Sequence, residues 1–231
     1  MRAVLFDLDG TLLDLDLDAF LVRYFAALER AAAPLAQAVG SSGSFMYAIG
    51  EATRAMMKRH PGRTNQTVFD EEMLRRTGVD MREQWPTFES FYSDVFPGLA
   101  DTAGPAPGAQ QAFSQARTLG LRVAIATNPI FPRVAVDHRL AWAGLDGADA
   151  DVVTTYEQME SCKPYPEYFL QTASLLRVAP QDCLMVGDDP MLDLPARAVG
   201  MRTYYVGSRS DVVADYRGDL HGLTALLPDL V

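Results

Sequence analysis

Short apolar runs separated by polar segments recur along the chain, at residues 3–6, 122–126, 152–154, 183–186 and 203–206. These runs are rich in β-branched residues and end in polar or glycine-containing turns, which is typical of strands buried on both faces. Apolar residues at helical spacing occupy the segments between the later runs, at residues 109–119, 132–143, 166–176 and 193–199. The alternation predicts an α/β fold with a doubly wound, Rossmann-like parallel sheet covered by helices on both faces.

This alternation breaks between residues 16 and 103, where apolar positions at helical spacing occur without a convincing strand. Helical spacing is clearest at residues 20–28, 45–57 and 69–74, with a weaker fourth segment at 85–92. We interpret residues 16–103 as a helical cap domain inserted after the first strand and closed by a return linker rich in glycine and proline. The remaining residues, 1–15 and 104–231, are then the core domain that contains the sheet.

The composition limits the classes of partner. With a formal net charge of −10, the chain repels nucleic acid backbones and anionic membranes, so we expect no nucleic-acid and no membrane partner. A small anionic substrate is compatible with this charge, because a local site can oppose it. Cys162 and Cys183 are too few for a disulfide framework, no signal peptide is evident, and no apolar stretch approaches the roughly 20 residues that span a bilayer. We therefore expect a cytoplasmic protein, of an oligomeric state that the sequence does not indicate.

Two aspartates, Asp7 and Asp9, come directly after the first apolar run, in the segment Phe-Asp-Leu-Asp-Gly-Thr-Leu at residues 6–12. Residues two apart share one face of a strand, so these like charges would crowd together unless the chain turns or a cation lies between them. Gly10 permits a turn, because glycine accepts backbone angles that other residues resist. The pattern is suited to a carboxylate nucleophile assisted by a metal ion.

Three further polar motifs adjoin predicted strands or helices. Thr127-Asn128 follows the second apolar run, and Lys163-Pro164 precedes a predicted helix. Asp188 follows the fourth run, within the segment Val-Gly-Asp-Asp-Pro-Met-Leu-Asp that ends at Asp193. In open α/β sheets, ligands bind outside the carboxyl ends of the strands, so we expect these residues to converge there with Asp7.

In their order and context, the four motifs resemble those of the haloacid dehalogenase superfamily of hydrolases, most of which are phosphatases. The resemblance covers about residues 1–15 and 104–206, and the helical insertion after the first motif is similar to that superfamily's first type of cap. The resemblance implies the phosphatase branch, because 2-haloacid dehalogenases lack an acid/base residue at the position of Asp9.

Phosphoryl transfer needs an in-line nucleophile, compensation of negative charge and a proton for the leaving group. Asp7 is the predicted nucleophile, because a carboxylate can form an aspartyl-phosphate. Asp9 is the predicted acid/base residue, which protonates the leaving alcohol and then activates water. Thr11 is predicted to orient Asp9.

The predicted phosphate-binding groups come from the second and third motifs. Lys163 would place a positive charge beside the nucleophile and the phosphoryl oxygens. The Thr127 hydroxyl and the backbone N–H groups near Asn128 would hold the same oxygens.

Mg²⁺ is the predicted cofactor, because a hard cation with oxygen ligands offsets the repulsion between Asp7 and a phosphate dianion. Asp7 and Asp188 would be direct carboxylate ligands, and Asp9 would contribute its backbone carbonyl. Asp193 would bind through water or orient a ligand. Asp189 is a further candidate that could share metal binding with Asp188.

Together these assignments predict a Mg²⁺-dependent phosphatase that acts on a small phosphorylated metabolite through an aspartyl-phosphate intermediate. The first alternative is a phosphomutase of the same superfamily, which returns the phosphoryl group from the aspartate to its substrate. The second is a non-catalytic metabolite-binding module on the same scaffold. The complete set of carboxylates and Lys163 argues against that module.

Overall fold

The structure, a computed structural model, describes the backbone of residues 1–231 and every side chain except that of Ser42. Its strands are β1 (Ala3–Phe6), β2 (Leu13–Leu15), β3 (Ala103–Pro105), β4 (Arg122–Ile125), β5 (Val152–Val153), β6 (Cys183–Gly187), β7 (Arg202–Tyr205) and β8 (Tyr216–Arg217). Its α-helices are α1 (Leu17–Ala38), α2 (Ser42–Met56), α3 (Asn65–Thr77), α4 (Trp85–Ser90), α5 (Ala109–Thr118), α6 (Arg133–Trp142), α7 (Pro166–Leu176) and α8 (Leu220–Leu230). Among the described residues, no helix has both the length and the apolar character that crossing a lipid bilayer requires.

Six parallel strands form one sheet in the order β5-β4-β1-β6-β7-β8. The central strand β1 pairs with β4 and with β6, so that Phe6 lies beside Ile125 on one side and Val186 on the other. The carboxyl ends of these three strands therefore meet at one edge of the sheet. The predicted α/β class with a parallel sheet is confirmed.

Alternate residues of β1 pack against opposite layers of helices, and all four are fully buried. Val4 and Phe6 belong to a hydrophobic cluster with residues of α5, α6 and α8. Ala3 and Leu5 belong to another cluster with residues of α7. Because successive strand residues point to opposite faces, a strand covered on both sides needs apolar residues at every position, which explains the continuous run in the sequence.

The segment between β2 and β3, which we call the helical insert, contains α1 to α4 and packs around its own cluster of aromatic residues. Phe20, Phe45, Phe91 and Phe96 are almost completely buried in this cluster. The weak fourth helix of the sequence pattern is α4, which continues through a π-helical turn and a 3₁₀ segment to Thr102. The division into a cap domain and a core domain stays a prediction.

The two chain segments that join the helical insert to the sheet pair with each other as the antiparallel strands β2 and β3. The sequence pattern predicted only a linker at β3, since three residues that read Ala-Gly-Pro have little β propensity. A second difference is at residues 193–199, where the predicted helix is a 3₁₀ segment, Leu194–Val199. The pattern also predicted no element beyond residue 206, where β8 and α8 extend the sheet and one helix layer.

Candidate active site

The structure brings most of the predicted site residues to one cavity of about 420 Å³, namely Asp7, Asp9, Thr127, Asn128, Lys163, Asp188 and Asp193. The strands β1, β4 and β6 end at this cavity because they are adjacent and parallel. Its opposite wall comes from α1 and α2 of the helical insert. Thr11 is buried and does not line the cavity.

Asp7 is held at the end of β1 through both its backbone and its side chain. Its N–H donates to the Val186 carbonyl at 2.9 Å, which continues the pairing between β1 and β6 by one residue. Its Oδ1 accepts a hydrogen bond from Lys163 Nζ at 2.6 Å. The residue is only 8% exposed, so the carboxylate has one fixed direction at the cavity wall.

Lys163 is a buried cation between two carboxylates. Its Nζ donates to Asp7 Oδ1 and to Asp193 Oδ1, each at 2.6 Å, and its side chain is 1% exposed. Burial alone would lower the pKa of the ammonium group, but the charges of Asp193 and Asp7 raise it above its ordinary value. Lys163 is therefore a permanent positive charge beside Asp7.

Asp7, Asp188 and Asp193 present carboxylate oxygens that all lie within 4.8 Å of one another. Burial raises the pKa of Asp188 to about 6, and the charge of Asp7 raises it further. One ammonium group faces three carboxylates here, so the cluster carries an excess of negative charge. A divalent cation that prefers oxygen ligands would balance this excess, and these residues fit Mg²⁺ in donor type and spacing.

The Thr11 hydroxyl donates to Asp188 Oδ1 at 3.1 Å rather than to Asp9. The predicted role of Thr11 in orienting Asp9 stays a prediction, and the contact that the structure shows for its hydroxyl is with the carboxylate after β6. Gly10, between Asp9 and Thr11, has a φ of 82°, so the chain turns directly after Asp9.

The Asp189 carboxylate accepts hydrogen bonds from the N–H groups of Met191 at 2.7 Å and of Leu192 at 3.2 Å. Asp189 thus closes its own turn, and it is not a member of the cluster of three carboxylates. Asp193 Oδ2 accepts from the Asp189 N–H at 3.0 Å, so that both oxygens of Asp193 already have protein donors.

Thr127 and Asn128, which follow β4, form hydrogen bonds with residues that precede, include and follow Lys163. Asn128 Oδ1 accepts a hydrogen bond from the Lys163 N–H at 3.1 Å. The Thr127 carbonyl accepts from the hydroxyl groups of Thr154 at 2.7 Å and Tyr168 at 2.9 Å. The Asn128 side chain therefore positions Lys163, and the Thr127 hydroxyl and nearby backbone groups are left as candidates for holding an anion.

Asp9 forms an ion pair with Arg139 of α6, a residue that the motif analysis missed. Arg139 is 2% exposed, and its guanidinium carbon lies 4.6 Å from the centre of the Phe131 ring. Arg139 Nε and Nη2 have no hydrogen-bond partner among the described residues. Burial raises the pKa of Asp9, while the charge of Arg139 opposes this shift. The ion pair places the Asp9 carboxylate at the wall of the catalytic cavity, and Asp9 is not a member of the cluster of three carboxylates.

A sequence signal for Arg139 does exist. It lies three residues after Val136 and one before Leu140, so helical spacing places it on the buried face of α6. A charged residue on an apolar helix face needs a partner of opposite charge, and Asp9 supplies it.

Both the sequence and the fold of this chain are similar to those of known proteins. A family model described as haloacid dehalogenase-like hydrolase matches residues 1–199. Hexitol phosphatase A of Escherichia coli K12 is 27% identical over 210 residues, which cover 91% of this chain and 85% of that protein. Phosphoglycolate phosphatase of Nitrosospira multiformis is 26% identical over 212 residues, which cover 89% of this chain and 83% of that protein. The crystal structure of a HAD phosphatase from Thermococcus onnurineus has the same fold, with a TM-score of 0.60, 22% identity and coverage of 98% of both chains.

Proposed function

The chain belongs to the haloacid dehalogenase-like hydrolases, and we propose that it hydrolyses a small phosphorylated metabolite with Mg²⁺ and through an aspartyl-phosphate on Asp7. Membership confirms the resemblance seen in the four sequence motifs, and the chain is an enzyme of the phosphatase group. The observation that carries the proposal is the contact of Asp7 with Lys163 beside Asp188 and Asp193. We propose in addition that the helical insert is a cap domain and that the enzyme is cytoplasmic, which the free thiols of Cys162 and Cys183 support.

Asp7 and Asp188 would hold Mg²⁺ through their carboxylates and Asp9 through its backbone carbonyl. Asp193 fits an outer role, since Lys163 and the Asp189 N–H already occupy its two oxygens. When bound, Mg²⁺ would supply positive charge to the phosphoryl oxygens and so reduce their repulsion by Asp7.

The protein side chains account for the two chemical steps. The Asp7 carboxylate attacks phosphorus, and the bond from phosphorus to the alcohol oxygen breaks while Asp9 gives its proton to that oxygen. Water then attacks the aspartyl-phosphate as Asp9 takes up a proton, which releases inorganic phosphate and restores Asp7. Lys163 stabilises the negative charge in both steps without moving, because its ammonium group is already fixed against Asp7.

Metal removal provides the direct test. We expect the protein treated with EDTA to release no phosphate from an aryl phosphate, and we expect added Mg²⁺ to restore release. A panel of phosphorylated metabolites, with phosphate and isomeric products both measured, then identifies the reaction. Isomer formation without phosphate release would show that the enzyme is a phosphomutase and not a phosphatase. If no ester reacted in the presence of Mg²⁺, the result would favour a non-catalytic metabolite-binding module.

The substitution Gly10→Ala tests the position of the cluster formed by Asp7, Asp188 and Asp193. A Cβ atom on Gly10 would overlap the Asp188 carboxylate, so that carboxylate must move. Because a displacement of about 1 Å can cost roughly a hundred-fold in rate, we expect a loss of that order in phosphate release and a weaker increase in melting temperature on adding Mg²⁺. Gly120→Ala is the control: Gly120 has a similar φ of 71° but nothing within 4 Å of its added Cβ. Equal rates for the two variants would contradict the assignment of Asp188.

A further inference from the structure

A second cavity, of about 80 Å³, adjoins the catalytic cavity on the side of the helical insert, and we call it the inner pocket. The two cavities share the lining residues Tyr24, Ile49, Thr53 and Ile130. These four residues lie between the two cavities, so a substrate whose phosphate lies at Asp7 would have to pass them to reach the inner pocket. None of the four sequence motifs contributes to its walls.

Six aromatic side chains contribute to the wall of the inner pocket. Trp85 and Tyr92 stack with their ring centres 6.4 Å apart, and Phe69 and Tyr156 meet edge to face at the same distance. The hydroxyl groups of Tyr24 and Tyr92 hydrogen-bond to each other at 3.0 Å. Because the faces of aromatic rings are electrostatically negative, such a wall attracts a positively charged group.

Asp70 of α3 contributes the carboxylate of the inner pocket. Among the described side chains, none forms a hydrogen bond or an ion pair with it. Arg82 also lines the pocket and is the cation that acts on Asp70, but its guanidinium group already pairs with Asp80 through contacts of 3.0 and 2.8 Å. Partial burial raises the pKa of Asp70 to about 6, which is the sign of a carboxylate deprived of solvent and of a close partner.

The helix that carries Asp70 is anchored where the insert meets the sheet. The N–H groups of Asn65 and Gln66, at the start of α3, donate to the carbonyls of Met159 and Tyr156, each at 2.8 Å. Asp70 lies one turn after Gln66 on the same face, and both line the inner pocket. These hydrogen bonds join the helix that carries Asp70 to the chain segment between β5 and Lys163.

We propose that the inner pocket binds an ammonium group, so that the substrate is a phosphate monoester of an alcohol that also carries an amine. This inference rests on the proposed function. An ammonium group would pair with Asp70, face the aromatic rings and leave the phosphate at Lys163. The walls between the two ends are largely apolar, with Phe20, Ile49 and Ile130 among them, which suits an alkyl chain rather than a polyhydroxylated one.

The test compares ω-aminoalkyl phosphates of increasing chain length, each against the n-alkyl phosphate that has a methyl group in place of the ammonium group. We expect the wild-type enzyme with Mg²⁺ to prefer the amine at one chain length by at least about ten-fold in kcat/KM, as one desolvated cation–π contact supports. Asp70→Asn should remove that preference through KM and leave the n-alkyl phosphate unaffected. Glu71→Gln, at the exposed neighbour of Asp70 that pairs with Arg63, is the matched control and should behave as wild type.

Equal kcat/KM values for the amine and its alkyl partner at every chain length would overturn the proposal, as would equal losses on both esters in Asp70→Asn. Failure of the proposed function has a different signature, in which no variant hydrolyses even an aryl phosphate. In that case, binding of the free amino alcohols, measured by calorimetry, still tests whether the inner pocket binds an ammonium group. Tighter binding to wild type than to Asp70→Asn would support it, and equal or absent binding would overturn it.

Discussion

Asp7→Asn is expected to lower phosphate release by at least about a thousand-fold while leaving the folded structure intact, as removal of a nucleophile does in other enzymes. The amide has the shape of the carboxylate, and its oxygen can still accept the hydrogen bond from Lys163 Nζ. It lacks the negative charge that attacks phosphorus and that would help to hold Mg²⁺. The loss should therefore be in kcat, with a melting temperature close to that of wild type.

The measurement is hydrolysis of an aryl phosphate with Mg²⁺, together with thermal unfolding. Mass spectrometry of the acid-quenched wild-type enzyme should find phosphate on the peptide that contains Asp7, and this adduct should be absent from the variant. Asp14→Asn is the control, because Asp14 is an exposed aspartate shortly after the same strand. Residual activity above about a tenth of wild type would contradict the nucleophile assignment.

Lys163→Met is expected to impair both activity and stability. Lys163 Nζ separates the buried carboxylates of Asp7 and Asp193, at 2.6 Å from each. Breaking a buried ion pair by removing one partner costs about 3–5 kcal/mol, because the remaining charge is left uncompensated. We expect a loss of this size in the free energy of unfolding without Mg²⁺, partial recovery when Mg²⁺ is added, and little phosphate release in either condition.

The other lysine of the chain, Lys58, supplies the matched control, since it is exposed at the end of the helical insert's second helix. Lys58→Met should unfold and react as wild type does. Denaturant titrations with and without Mg²⁺ give the free energies to compare. If Lys163→Met were as stable and as active as Lys58→Met, Lys163 would be a structural bystander and the proposed charge compensation would be wrong.

The sequence by itself determined five of the six strands of the sheet and the strand ends at which the candidate site lies. Strands such as β1 and β6 are buried on both faces, so each leaves a continuous apolar run that ends at a polar motif. Parallel neighbours then bring Asp7 and Asp188 to the same edge without further information. These features depend on local sequence and on one general property of α/β sheets.

Only the tertiary structure decided which groups meet across the site. Arg139 reaches Asp9 from 130 positions away, and Thr11 bonds Asp188 across 177 positions. The pairing of β2 with β3 and the joining of Asp70 to an aromatic pocket likewise depend on how the helical insert packs against the sheet. The sequence does not identify both partners of such a contact: the place of Arg139 on an apolar helix face indicates a need for an opposite charge, but not that Asp9 supplies it. Their geometry is set by the packing of large apolar clusters, which brings together polar groups that are far apart in the sequence.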